Sequence, residues 1–162
     1  MFKRLLVPID GSRFGLRALR YATEVARRFE AEVMLLQVIK PTTPVIADGP
    51  PGVGSPVGSE IAMQAAAEED ESNAARAKRY LNGKVRGVKS QGMVGSYSVI
   101  VGDPSRSIIA FAQKERIDLI VMSTHGKSGL KRAIMGSVAD AVIRESGKPV
   151  LVIRPPLSGK KA

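Results

Sequence analysis

The 162-residue sequence predicts one α/β domain, a doubly wound open parallel sheet of five strands with helices on both faces. Two observations point there. Short apolar runs recur along the chain, and each pair of runs is separated by a longer segment with helical periodicity. Apolar strands alternating with helices belong in a parallel sheet covered on both sides, joined by right-handed crossovers. The length suits one domain and allows most of the apolar surface to be buried in one core.

The elements follow in order. Leu5 to Ile9 is a short apolar run that ends at Asp10-Gly11-Ser12. A helix is expected from Arg13 to Phe29. Its arginines, at 13, 17, 20, 27 and 28, fall within about 120° of one another, opposite Ala22, Val25, Ala26 and Phe29. Val33 to Ile39 reads as a buried strand, and Glu60 to Leu81, rich in Ala and Glu, as a second helix. Ser96 to Val101 is the third strand, Ser105 to Glu115 the third helix and Leu119 to Met122 the fourth strand. A helix from Val138 to Glu145 and a strand from Val150 to Ile153 close the set. The domain is expected to span 1–155, leaving a basic tail at 156–162. Residues 41–59, dense in Pro, Gly and Ser, read as a flexible insertion.

Composition narrows the chemistry. The chain has no cysteine and one histidine, which excludes disulfides, thiolate metal sites and multi-histidine sites. No apolar run approaches the roughly 20 residues that cross a bilayer. The opening lacks the apolar core and cleavage site of a signal peptide, so a cytoplasmic location is expected. A formal charge of +10 favours anionic ligands without choosing among them. Nucleic acid is disfavoured as a partner: there is no Trp to stack on bases, and no zinc finger, RNA-binding signature or clear helix-turn-helix.

In sheets of this kind ligands bind beyond the carboxyl ends of strands, where strand order reverses. Two segments fit that place: Pro8 to Ser12, and Ser123 to Ser137. The second contains Ser123-Thr124-His125-Gly126-Lys127-Ser128-Gly129, with Lys131 and Arg132 beyond. It ends at Gly136-Ser137, where Ser137 is expected to cap the following helix and Asp140 to complete a capping-box-like pattern. Amides at a helix start bind anions, and glycines let the backbone approach phosphate. Two common motifs fail. Gly126-Lys127-Ser128 resembles the tail of a P-loop, but Val121 stands where its first glycine belongs. There is also no G-x-G-x-x-G after a strand.

Four stretches, LLVPIDGS, VGDPSRSI, DLIVMSTHGKSGLKRAIMGSVADAVI and KPVLVIRP, resemble the universal stress protein family across nearly the whole chain. ATP-binding members of that family carry Gly-x-x-Gly, nine residues, then Gly and Ser or Thr. This chain has Gly126, nine residues from Lys127 to Met135, then Gly136 and Ser137, with Ser123 in place of the first glycine. The resemblance implies an adenine nucleotide α-hydrolase-like fold that binds ATP, or AMP or ADP, with Mg²⁺. It places Pro8, Ile9 and Asp10 beside adenine and ribose, and Val38 and Ile39 against adenine. Gly102 and Asp103 would lie near the ribose, and Ser123, His125, Gly126, Gly136, Ser137 and Val138 around the phosphates. Asp10 and Gly102-Asp103-Pro104 also read as turn and helix-entry residues. The resemblance further implies a homodimer through Val150 to Ile153.

No Ser-His-Asp arrangement or paired carboxylates are placed by the sequence, and His125 reads as a loop residue before it reads as a base. The expected role is a nucleotide-responsive stress or signalling regulator. Two alternatives stay open: a partner-binding module of the same fold without nucleotide, and a slow ATP-hydrolysing enzyme.

Overall fold

A computed structural model of the chain describes residues 1–44, 56–124 and 136–154. Most of the expected insertion, 45–55, and the basic tail lie outside the described residues. The elements are β1 (Arg4–Pro8), α1 (Arg13–Phe29), β2 (Glu32–Ile39), α2 (Pro56–Lys89), β3 (Gly95–Val101), α3 (Pro104–Lys114), β4 (Leu119–Ser123), α4 (Ser137–Glu145) and β5 (Val150–Ile153). All pairings are parallel, and the strand order is β3-β2-β1-β4-β5. The five-stranded doubly wound sheet expected from the sequence is therefore present.

Alternation along the strands divides the core into two layers. Leu5, Val7, Val33, Leu35, Leu119 and Val121 meet Ala18, Ala22 and Ala26 of α1 and Leu81, Val85 and Val88 of α2. Leu6, Leu36, Ile120 and Met122 meet Ile108 and Ala112 of α3 and Ala139 and Val142 of α4. Alanines on α1 let that helix lie close to the sheet. Its arginines turn outward as the periodicity requires; Arg13, Arg20, Arg27 and Arg28 are exposed. Phe29 is also exposed but leans its ring edge against Phe2, with centroids 5.2 Å apart.

The second helix departs most from expectation. It starts at Pro56 and runs to Lys89, eight residues past Leu81. Val85 and Val88 continue the buried stripe of Ala77 and Leu81 at helical spacing, and a Cβ on Gly95 would lie 3.1 Å from Val88, so α2 closes directly over the start of β3. The 34 residues span about 51 Å, against about 23 Å for the seven residues of β3. Its amino-terminal half thus extends past the carboxyl edge of the sheet. The amide of Thr42, just after β2, donates to Asp70 Oδ1 at 2.8 Å and ties the two segments together.

At the opposite edge Asp118 joins β4 to β1. Its Oδ2 accepts the amides of Lys3 at 2.8 Å and Arg4 at 2.9 Å. These two bonds hold the carboxyl below the usual carboxylate range. Among the described residues no helix is long and apolar enough to cross a membrane.

Candidate functional site

The chain leaves β1 toward α1 on one face and β4 toward α4 on the other, although the two strands are neighbours. Such a reversal opens a crevice at the carboxyl edge. A cavity of about 880 Å³ lies there, within the usual range for a ligand pocket. Its floor is Pro8, Ile9 and Asp10 from the end of β1, Leu36 to Lys40 from β2, and Met122 to Thr124 from β4. Gly136 to Ala139 of the α4 start line one side. Asn73, Arg76, Ala77 and Tyr80 of α2 line another.

The turn after β1 is built on two short side chains. Asp10 Oδ1 accepts the Ser12 amide at 2.9 Å, and Gly11 takes φ +81°, a conformation glycine adopts without steric cost. Ser12 then caps α1, its hydroxyl accepting the Gly15 amide at 3.3 Å. Asp10 is therefore a turn-forming carboxylate and a cavity residue at once. Among the described lining residues it is the acid, against the cations Lys40 and Arg76.

The start of α4 differs from the sequence expectation. Gly136, not Ser137, is the N-cap, and among the described residues no side chain makes a capping hydrogen bond there. Ser137 already has helical geometry as the first residue of α4. Asp140 does not complete a capping box; its carboxylate pairs with Arg144 at 3.1 Å. The first residues of this nine-residue helix line the cavity. The Gly136 amide donates to the Thr124 carbonyl at 2.8 Å, and a Cβ on Gly136 would lie 2.9 Å from that oxygen. With φ −65° and ψ 146°, Gly136 is a glycine for closeness, not for backbone conformation. Ser123 is the last residue of β4, in register with Ile153, and not a loop residue as expected.

Of the sequence-derived candidates, Pro8, Ile9, Asp10, Val38, Ile39, Ser123, Gly136, Ser137 and Val138 converge on the cavity. Gly102 and Asp103 lie just outside its lining, which takes up Pro104 and Ile108 instead. Asp103 caps α3, accepting the Arg106 amide at 2.9 Å and the Ser105 hydroxyl at 2.7 Å. The Arg106 amide, then the Ser105 hydroxyl, hold its carboxyl below the usual range. The Gly102 amide donates to the Ile39 carbonyl at 2.8 Å, and a Cβ there would meet Ser107 Oγ at 3.0 Å. His125, Gly126, Lys127, Lys131 and Arg132 lie outside the described residues. Among the described residues no three His, Cys, Asp or Glu side chains cluster as a metal site would require.

Sequence reasoning missed the α2 wall and Gln37. The signal was present. Asn73, Arg76, Ala77 and Tyr80 recur at i, i+3, i+4 and i+7 on the face that continues into Leu81, so polar residues replace apolar ones in a core-facing stripe. Gln37 likewise interrupts the apolar run of β2. Burial, and secondarily the Asp10 carboxylate, raise the Tyr80 hydroxyl above the usual tyrosine value. The phenol therefore stays protonated beside Asp10.

The fold agrees with comparisons to known proteins. The model of the universal stress protein family matches residues 1–154. Universal stress protein MJ0531 of Methanocaldococcus jannaschii is 34% identical over 96% of this chain and 84% of its own length. The solved structure of MJ0577 is 28% identical, covers 96% of this chain and 97% of its own, and superposes with a TM-score of 0.79. A more distant structure, a universal stress protein family protein of Arabidopsis thaliana with AMP bound, shares the fold at 18% identity and a TM-score of 0.59, covering 94% of this chain and 91% of its own. From its first strand to its last, the chain belongs to the universal stress protein family.

Proposed function

We propose that this protein binds ATP, or AMP or ADP, in the cavity at the carboxyl edge of the sheet and acts in the cytoplasm as a nucleotide-responsive stress or signalling regulator. The observation that carries the reading is the start of α4. Its first amides border the cavity, with no side-chain cap among the described residues, and the helix dipole there favours a phosphate. Gly136, Ser137 and Val138 would take the phosphates through backbone amides, joined by Ser123 and, from the motif, by His125 and Gly126. Pro8, Ile9, Asp10, Val38 and Ile39 would hold adenine and ribose, with Gly102 and Asp103 behind the ribose. The donor set also suits Mg²⁺. This ion commonly rests on one or two carboxylates plus the phosphates themselves, and Asp10 lines the cavity. A bound Mg²⁺ would neutralise phosphate charge.

Regulation fits better than catalysis because tight ground-state binding does not by itself lower a barrier. The reading includes a homodimer. β5 is an edge strand of the sheet, and Val150, Leu151 and Val152 are only half-buried. An unpaired apolar edge invites pairing with a second copy across a two-fold axis.

Calorimetry with ATP and Mg²⁺ on nucleotide-stripped protein tests the reading. Saturable binding of one nucleotide per chain is expected. No binding at millimolar ATP, with the fold intact, would assign the chain to partner binding without nucleotide. Metal-dependent turnover faster than about one per minute would make it an enzyme, far below the typical enzyme rate but beyond a passive sensor.

A further inference from the structure

The charges of α2 are sorted along its length. Residues 56–75 carry five acids and no Lys or Arg, and residues 76–89 carry six cations and no acid. Two ordinary explanations fail. Charges that support a helix from within pair at i,i+3 or i,i+4, whereas among the described residues no charge of α2 forms an ion pair. Charges that answer the helix dipole act within the first and last turns. Glu68 lies about three turns inside Pro56, and Arg79 about three turns inside Lys89.

The sorted charges share an outward face. Ile61, Glu68, Ser72, Ala75, Arg79 and Arg86 fall within about 60° of one another at the helical period. They lie on the side away from Leu81, Val85 and Val88, through which α2 packs on β3 and β2. All are exposed except Ala75, which is half-buried, and Ile61 leaves 63% of a large apolar side chain in water. The Glu68 carboxylate accepts the Gln64 side-chain amide at 3.2 Å, and among the described residues it meets no cation. The positions 68 and 79, 61 and 86, and 72 and 75 are each symmetric about one point on the helix. A second α2 laid antiparallel across this face, with a two-fold axis at that point, sets Glu68 of each copy opposite Arg79 of the other. Ser72 and Ala75 meet at the axis, where short side chains let helices approach to about 8–10 Å. The aliphatic stem of Arg86 covers Ile61 of the other copy. The paired stretch, residues 61–86, is about 39 Å long.

We infer that the outward face of α2 is a two-fold interface with a second copy of this chain, the acidic half of each helix lying along the basic half of the other. A two-fold contact must be self-complementary, and a helix acidic at one end and basic at the other meets that condition only when it pairs antiparallel. The face lies on the β2–β3 side of the sheet, whereas β5 is the edge strand on the opposite side. The contact therefore adds to the proposed β5 pairing and does not compete with it. It is also independent of the nucleotide reading.

Sedimentation equilibrium of the full-length chain tests the inference, at low ionic strength, where exposed charges are least screened. At high micromolar concentration the wild type should exceed the mass of a dimer, or reach a dimer if β5 stays unpaired. Glu68→Arg and Arg79→Glu should each halve that mass, with a dissociation constant raised at least about tenfold. One reversal makes the chain more positive and the other less so, so net repulsion cannot account for both losses. An equimolar mixture of the two variants should recover the wild-type mass, because each then meets opposite charge across the axis. Recovery also shows that both variants are folded. A wild type that stays monomeric overturns the inference without any variant. A mass that either reversal leaves unchanged overturns it as well, and so does a mixture that stays as dissociated as its parts.

Discussion

Replacing Gly136 with alanine should damage the protein before any ligand is added. The added methyl would start 2.9 Å from the Thr124 carbonyl oxygen. That oxygen is backbone, at the exit of β4, and cannot swing aside as a side chain would. The Gly136 amide also donates to it at 2.8 Å, so relieving the contact means stretching that hydrogen bond. Overpacking of this kind costs about 1–3 kcal/mol, and a weakened hydrogen bond adds about 0.5–1.5 kcal/mol at most. A central value of about 2 kcal/mol corresponds to a fall of about 4–8 °C in the melting midpoint for a domain of this size. Ser137→Ala is the matched control. Ser137 is exposed and does not cap α4, so the change should stay within about 0.5 kcal/mol. Thermal and urea unfolding of nucleotide-free protein would measure both. Suppose instead that Gly136→Ala keeps the wild-type midpoint and loses only ATP affinity. The glycine would then serve the ligand's approach alone, and the argument from the Thr124 contact would be wrong.

Three further outcomes follow from the same geometry. Asp118 has a folded pKa below its unfolded value of about 3.9, so its contribution to stability is present above that value and is lost as pH falls through the folded pKa. The gap in melting midpoint between wild type and Asp118→Asn should therefore hold steady near neutrality and shrink below about pH 4; a gap that widens in acid would refute the clamp. Ser123→Gly should leave ATP affinity equal or higher while lowering stability slightly, since glycine weakens a strand by about 0.5–1 kcal/mol; a marked loss of affinity would mean that the Ser123 hydroxyl holds the ligand. Val152→Lys should convert dimer to monomer by light scattering at high micromolar concentration, and a wild type that is itself monomeric there would end the proposed β5 interface.

Much of this protein was legible in its sequence because the relevant forces are local. Apolar runs such as Val33 to Ile39 can only be buried strands, and the arginines of α1 can only share an outward face. Ligand sites in such sheets lie beyond strand ends, so Pro8 to Ser12 and Ser123 to Ser137 could be singled out before any coordinates, while Val38 and Val138 were named only through the family resemblance. Other features depended on distance and direction. The length of α2 was settled by Val85 and Val88 finding β3 to pack on, a contact between elements that periodicity at Leu81 does not announce. The cap of α4 passed from Ser137 to Gly136 because the backbone there approaches Thr124 too closely for any side chain. Asp103 was drawn into capping α3, which left Pro104 and Ile108 at the cavity. Gln37 and the face formed by Asn73, Arg76 and Tyr80 were visible as polar interruptions of apolar patterns. Only the packing of α2 on β3 and β2 brought them to one cavity with the end of β1, because such convergence depends on packing between segments distant in the chain.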